Sequence, residues 1–145
     1  MLDVWGVLFD LVYEIGISNI KGTYKIESVF SILTESLGFE FKPAENDMMV
    51  ITSACNMQYG ASAMLDTEYF NLVSKDLDAD LLILPSSIHE VIVLPIPCGF
   101  GLEGIGYFQD MIRTINCNEV SPDEVLSDHP YFYVRDKGEI TQDYM

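Results

Sequence analysis

Two short runs of β-favouring apolar residues, Leu81–Leu84 and Val91–Leu94, constrain this chain more than any other feature. Each is bounded by turn residues, and together they predict a pair of buried strands. Between them lies a polar turn, Pro85-Ser86-Ser87-Ile88-His89-Glu90, which makes the pair a central hairpin. Strands of this kind need apolar cover, and the flanking sequence has to supply it.

The cover is expected from helices. Val4, Val7, Leu8, Leu11, Val12 and Ile15 recur every three or four residues up to Gly16. Ile26, Val29, Phe30, Leu33 and Leu37 do the same up to Gly38. Both sets predict amphipathic helices with wide apolar faces that must pack on something. Phe39–Asp47, with Pro43 and Asn46, reads as a loop. Met48–Ser53 is β-like, and Gly60–Leu65 is expected as its antiparallel partner across the Ala54–Tyr59 connection. Asp66 is placed to cap a helix from Thr67 to about Lys75 that buries Tyr69, Phe70 and Val73. Asp78-Ala79-Asp80 then breaks the chain into the first run.

After the second run, a Pro- and Gly-rich loop, Pro95–Gly101, leads into a helix over Glu103–Asn116. Its apolar face is Ile105, Phe108, Met111, Ile112 and Ile115. Strand–strand–helix thus occurs twice, over 48–76 and 80–116. Ser121-Pro122-Asp123-Glu124 has the form of a capping box opening a short helical turn. Tyr131–Arg135, the loop Asp136-Lys137-Gly138 and Glu139–Thr141 predict a closing hairpin. The expected fold is α+β, a single domain over 1–145. An antiparallel sheet of four to six strands carries helices on one face, and a helical part, 1–38, packs on an α+β part, 48–145.

Length and composition agree with one domain: 145 residues, 49% of them apolar. The charge balance excludes whole classes of partner. Twenty-three acidic residues against seven basic ones give a formal charge of −16. No cation lies between Lys75 and Arg113, where Asp76, Asp78, Asp80, Glu90, Glu103 and Asp110 all fall. Direct contact with nucleic acid or an anionic membrane is not expected, because both require Lys or Arg to neutralise phosphate. Cys55, Cys98 and Cys117 are odd in number and lack CxxC spacing, which argues against a disulfide framework and a zinc site. The N-terminus has no basic region and is interrupted by Asp3, Asp10 and Glu14, so it predicts neither a signal peptide nor a membrane span. A cytoplasmic protein with free thiols is expected.

Asp80–Pro95 and Ile112–Thr141 resemble the C-terminal part of an uncharacterised domain family from clostridial gut bacteria. The resemblance rests on two blocks, LPSS-[IV]-HEV and V-x-P-x-E-V-L-S-D. The first corresponds to Leu84 through Val91. The second corresponds to Val120, Pro122, Glu124, Val125, Leu126, Ser127 and Asp128, with Asn116 ahead of it. Met49–Leu65 resembles the family's preceding hairpin more weakly. The family's members are about twice this length, so the resemblance implies a free-standing C-terminal half. It implies no catalytic residue.

Ser86, Ser87, His89 and Glu90 invite a hydrolase reading, as nucleophile, base and orienting carboxylate. Spacing resists it, because a nucleophile and base two or three residues apart at a tight turn rarely meet. No G-x-S-x-G elbow or oxyanion loop surrounds them. The competing expectation is that the serines satisfy the backbone of the turn while His89 bonds locally or packs under a loop. His89, His129, Glu90 and Asp128 are metal-ligand types, but no pair has helical i, i+4 spacing, and no metal is expected. Gly99–Gly106 resembles a phosphate loop in outline, yet it lacks the lysine and carries Glu103 where a donor is needed. No cofactor is expected.

The functional expectation is a non-catalytic, acidic protein-binding module that takes a partner with a basic surface. Its concrete form is an inhibitor of a nucleic-acid-binding defence protein by charge mimicry. The partner-binding candidates are Asp76, Asp78, Asp80, Ser86, Ser87, His89, Glu90, Asp128 and His129. The alternative is a hydrolase-type enzyme built on the Ser86–Glu90 turn with His129. A third reading is self-association through an exposed edge strand or the first amphipathic helix.

Overall fold

A computed structural model describes residues 2–29, 31, 34–35, 38, 48–53, 56, 58–85, 87–97 and 99–144. Its centre is a six-stranded sheet, antiparallel throughout, with the strand order β1-β2-β4-β3-β5-β6. The strands are β1 (Tyr24–Ser28), β2 (Met49–Ser53), β3 (Leu81–Leu84), β4 (Glu90–Pro95), β5 (Tyr131–Val134) and β6 (Glu139–Thr141). The two apolar runs are β3 and β4, paired with Leu82 opposite Leu94 and Ile83 opposite Val93. The closing hairpin is β5–β6, with Gly138 at φ +65° supplying the left-handed turn residue.

All four residues of β3 are buried, and alternate side chains serve different cores. Leu81 and Ile83 join Ile51, Val91, Val93 and Tyr133 on one face. That face is covered by α3 (Thr67–Asp76), through Phe70 and Val73, and by a 3-10 turn, Gly60–Leu65, through Ala61 and Ala63. Leu82 and Leu84 join Phe132 on the other face, under Ile105, Phe108, Met111 and Ile112 of α4 (Leu102–Asn118). The fold is therefore three-layered, which corrects the expectation of helices on one face. The reason is in the run itself: a strand with no polar alternate has no side to give to water.

Two further expectations are overturned. Residues 26–37 were to form one helix, but Tyr24–Ser28 is an edge strand whose Ile26 lies opposite Ile51 of β2. The period-2 pattern Tyr-Lys-Ile-Glu-Ser wins over the helical spacing that Ile26 shares with Val29. Lys25 and Glu27 confirm it by pairing at 2.8 Å, two residues apart on one side of the strand. Helical residues do follow, and Gly38 closes on the Thr34 carbonyl at 2.9 Å with φ +70°. Gly60–Leu65 is a 3-10 turn and not the partner of β2, a place that β1 and β4 fill. The first unit is thus not strand–strand–helix. The loop over 39–47 lies outside the described residues.

Asp66 caps α3 as expected, accepting from the Tyr69 N–H at 3.3 Å. It also accepts from the hydroxyl of Tyr24, which ties edge strand β1 to the helix. Burial, then the bond to Asp66, pushes the Tyr24 phenol well above its ordinary value, and burial raises Tyr69, Tyr133 and Tyr144 as well. A raised phenol keeps its proton in the fold while the unfolded chain loses it near pH 10. Its contribution is therefore complete below about pH 10 and falls above it, by about 1.4 kcal/mol per pH unit per fully affected group. Urea unfolding between pH 8 and 11 should show this steep alkaline loss, and Tyr24→Phe should flatten it while lowering stability at pH 8. An unchanged slope in the variant would remove Tyr24 as a source.

At the N-terminus, α1 (Leu2–Trp5) and α2 (Phe9–Ile20) are separated by Gly6 at φ +67°. The helix does not stop at Gly16, which sits inside α2. No residue of α2 is buried, and only Ile17 and Ile20 are half-buried, so its wide apolar face does not pack on the domain as expected. Among the described residues no helix is long and apolar enough to cross a membrane.

Candidate functional site

The β3–β4 turn is gripped from two sides. Ser87 Oγ accepts the His89 backbone N–H at 2.9 Å, the local role expected of a turn serine. From one side the 3-10 turn donates Gly60 N–H to the His89 carbonyl (2.9 Å) and Ala61 N–H to the Ile88 carbonyl (3.3 Å). From the other, the connection between α4 and β5 accepts the Ile88 N–H at the Glu124 carbonyl (3.0 Å), and Val125 bridges Ser87. The two sequence blocks, Leu84–Val91 and Asn116–Asp128, therefore meet each other.

His89 is the knot of this junction. Its Nδ1 accepts the Tyr59 N–H at 3.2 Å, which places the proton on Nε2, and Nε2 lies 3.2 Å from Glu124 Oε1. The ring sits 5.4 Å from that of Tyr59, a residue held at φ +60°. Both nitrogens are thus engaged without the ring needing a positive charge. The Ser87 hydroxyl contacts the His89 backbone, not its ring, and Glu90 is exposed at the mouth of β4. Ser86 lies outside the described residues. His89→Ala should cost about 0.5–1.5 kcal/mol in urea unfolding, since it removes the bonds to the Tyr59 N–H and the Glu124 carboxylate, both of which water can reach. Unchanged stability would contradict the knot.

Glu124 is the residue that sequence reasoning misplaced. The expected capping box does not form, because Ser121–Glu124 is a turn, closed by Glu124 N–H to the Ser121 carbonyl at 2.8 Å. The carboxylate goes across the sheet end to His89 instead. Asp128 and His129 are turned to α4: Asp128 Oδ1 accepts from Asn116 Nδ2 at 2.8 Å, and His129 Nδ1 lies 3.0 Å from Gln109 Nε2. The two histidines serve different anchors, and among the described residues no group of three metal-ligand side chains converges.

Asp76, Asp78 and Asp80 lie at the opposite end of β3, on the order of 15 Å along the strand from the turn. Asp78, at φ +50°, pairs with Arg135 at 2.9 Å. Asp80 accepts the Arg135 N–H at 3.0 Å and the Tyr144 hydroxyl at 3.2 Å. Asp78 and Asp80 clamp the end of β5 to the start of β3, while Asp76 at the end of α3 is exposed, and the candidate residues form two separate groups.

Beside the His89 junction a groove of about 570 Å³ opens, walled by Tyr59, Met64, Leu65, Ile88, Leu126 and Ile140. Among the described residues its lining carries no charge, and Tyr59, Leu65 and Leu126 are 62%, 55% and 44% exposed. Such a surface recognises apolar groups, with the hydroxyls of Ser62, Ser127, Tyr131 and Thr141 as its polar contacts.

A family model described as "Family of unknown function (DUF5688)" matches residues 1–135. No curated protein and no solved structure matches the chain.

Proposed function

The chain belongs to the DUF5688 family, and within that family of unknown function we propose that it is a non-catalytic, acidic protein-binding module. The observation that carries this is the state of its carboxylates. Asp76, Glu90, Glu103 and Asp110 are exposed and make no ion pair among the described residues. Lys21, Lys25 and Arg135 are each already matched to an acid. Most of the −16 therefore faces solvent uncompensated, and a partner with a basic surface is the one its field would draw in.

The finer form of the reading is inhibition by charge mimicry. The chain would occupy the nucleic-acid-binding face of a basic protein, such as a defence enzyme, in the cytoplasm of a clostridial host. The Leu84–Val91 and Asn116–Asp128 blocks would be the family's shared junction, holding the fold rather than performing chemistry. The engaged His89 ring supports this over a hydrolase, since a base spent on Tyr59 and Glu124 is not free for Ser87.

The test is capture of host proteins on the immobilised chain at 50 and 300 mM salt, followed by competition with DNA for each partner retained. A basic partner that is lost in salt and displaced by DNA is expected. Partners held equally at both salts would sink charge mimicry, because screening must weaken exposed contacts.

A further inference from the structure

We propose that α2 is a self-association element, which pairs with α2 of a second copy of this chain. The helix presents its apolar side away from its own domain. Ile20 packs against the core and Ile17 is half-buried, while Leu8, Leu11, Val12 and Ile15 are 77%, 49%, 39% and 52% exposed. At 100° per residue those four fall within one arc, and Asp10 and Glu14 fall behind it. Phe9 and Tyr13 flank the arc one turn apart, their rings stacked at 6.1 Å.

Three quantities select a second copy as the occupant. At about 100 Å² each, Leu8, Phe9, Leu11, Val12, Tyr13 and Ile15 offer on the order of 600 Å², most of the roughly 800 Å² that one partner contributes to a standard interface. That matches the largest apolar patch of an ordinary monomer, about 300–600 Å² and often functional. A twelve-residue helix with no buried residue is marginal in water and needs packing to persist.

Charge narrows the choice further. Residues 4–20 carry only Asp10 and Glu14, both on the far side, so this is the surface where two chains of −16 can approach. A basic partner has no counter-charge to find on that arc. An identical helix, run antiparallel about a two-fold axis, sets apolar arc on apolar arc and leaves all four carboxylates in solvent.

Sedimentation equilibrium of the chain between 1 and 200 μM, at 50 and 500 mM salt, tests this. The expected result is a shift from 16.3 kDa toward twice that mass, strengthened by salt, which screens repulsion between the two chains. Leu11→Lys with Ile15→Lys should abolish the shift, and because both side chains are exposed the circular dichroism of α3, α4 and the sheet should persist. A monomer at every concentration and salt overturns the proposal. So does a dimer that the double variant leaves intact, since another surface then holds it. Salt acts here in the opposite sense to capture of a basic partner, so failure of one reading does not imply failure of the other.

Discussion

Gly60→Ala should lower stability by about 3 kcal/mol or more, a large loss for one methyl group. An added Cβ would lie 2.5 Å from the His89 carbonyl oxygen, 2.6 Å from Thr52 Cα and 2.8 Å from Ser53 N. All three are backbone atoms, in β2 and in the β3–β4 turn, so no side chain can swing aside. The Gly60 N–H bond to His89 would have to break or the 3-10 turn lift from the sheet. The backbone at Gly60 is not in the left-handed region, so the cost is one of space alone. Gly16→Ala is the control, because nothing lies within 4 Å of a Cβ there and the helix interior should gain about 0.5–1 kcal/mol. Urea midpoints for the two alanines should move in opposite directions. Equal midpoints would show that the turn adapts.

Phe70→Ala should be similarly severe, about 3–5 kcal/mol. Phe70 is fully buried where α3 crosses the sheet, with ring centroids of Tyr69 and Tyr133 at 6.3 and 6.2 Å. The cavity left would sit between a helix and a central strand pair, neither of which can collapse into it without moving the other. Against a total of about 5–15 kcal/mol for a typical domain, this is enough to populate the unfolded state. Phe70→Leu should retain most of the stability. A midpoint for the alanine within 1 M urea of the parent would mean that the site relaxes.

What could be read from the sequence divides along a physical line. The central hairpin, α3 with its Asp66 cap, α4 and the closing hairpin were legible because each is specified by residues adjacent in sequence. β1 was hidden because Ile26 serves two periodicities and only pairing with β2 decides between them. The 3-10 turn was hidden because Gly-Ala-Ser-Ala alternates like a strand, while its small residues are there to let backbone approach backbone. The three layers could have been inferred from the unbroken run Leu81–Leu84. The His89–Glu124 contact could not, since 35 positions separate the partners and Ser121–Glu124 carries a competing local grammar.

The position of β3 between β4 and β5 also has a bearing on synthesis. One edge of β3 meets its partner within eleven residues, when β4 follows it. The other edge waits for β5, and its second face for α4, so about 50 residues (84 to 134) must be added before β3 is enclosed. At about 5–20 residues per second, the most apolar strand of the chain stands uncovered for roughly 3–10 seconds as it leaves the ribosome. A chain released at Pro97 should therefore aggregate or be held by chaperones, whereas one released after Thr141 should not, and pelleting of the two translation products would show the difference.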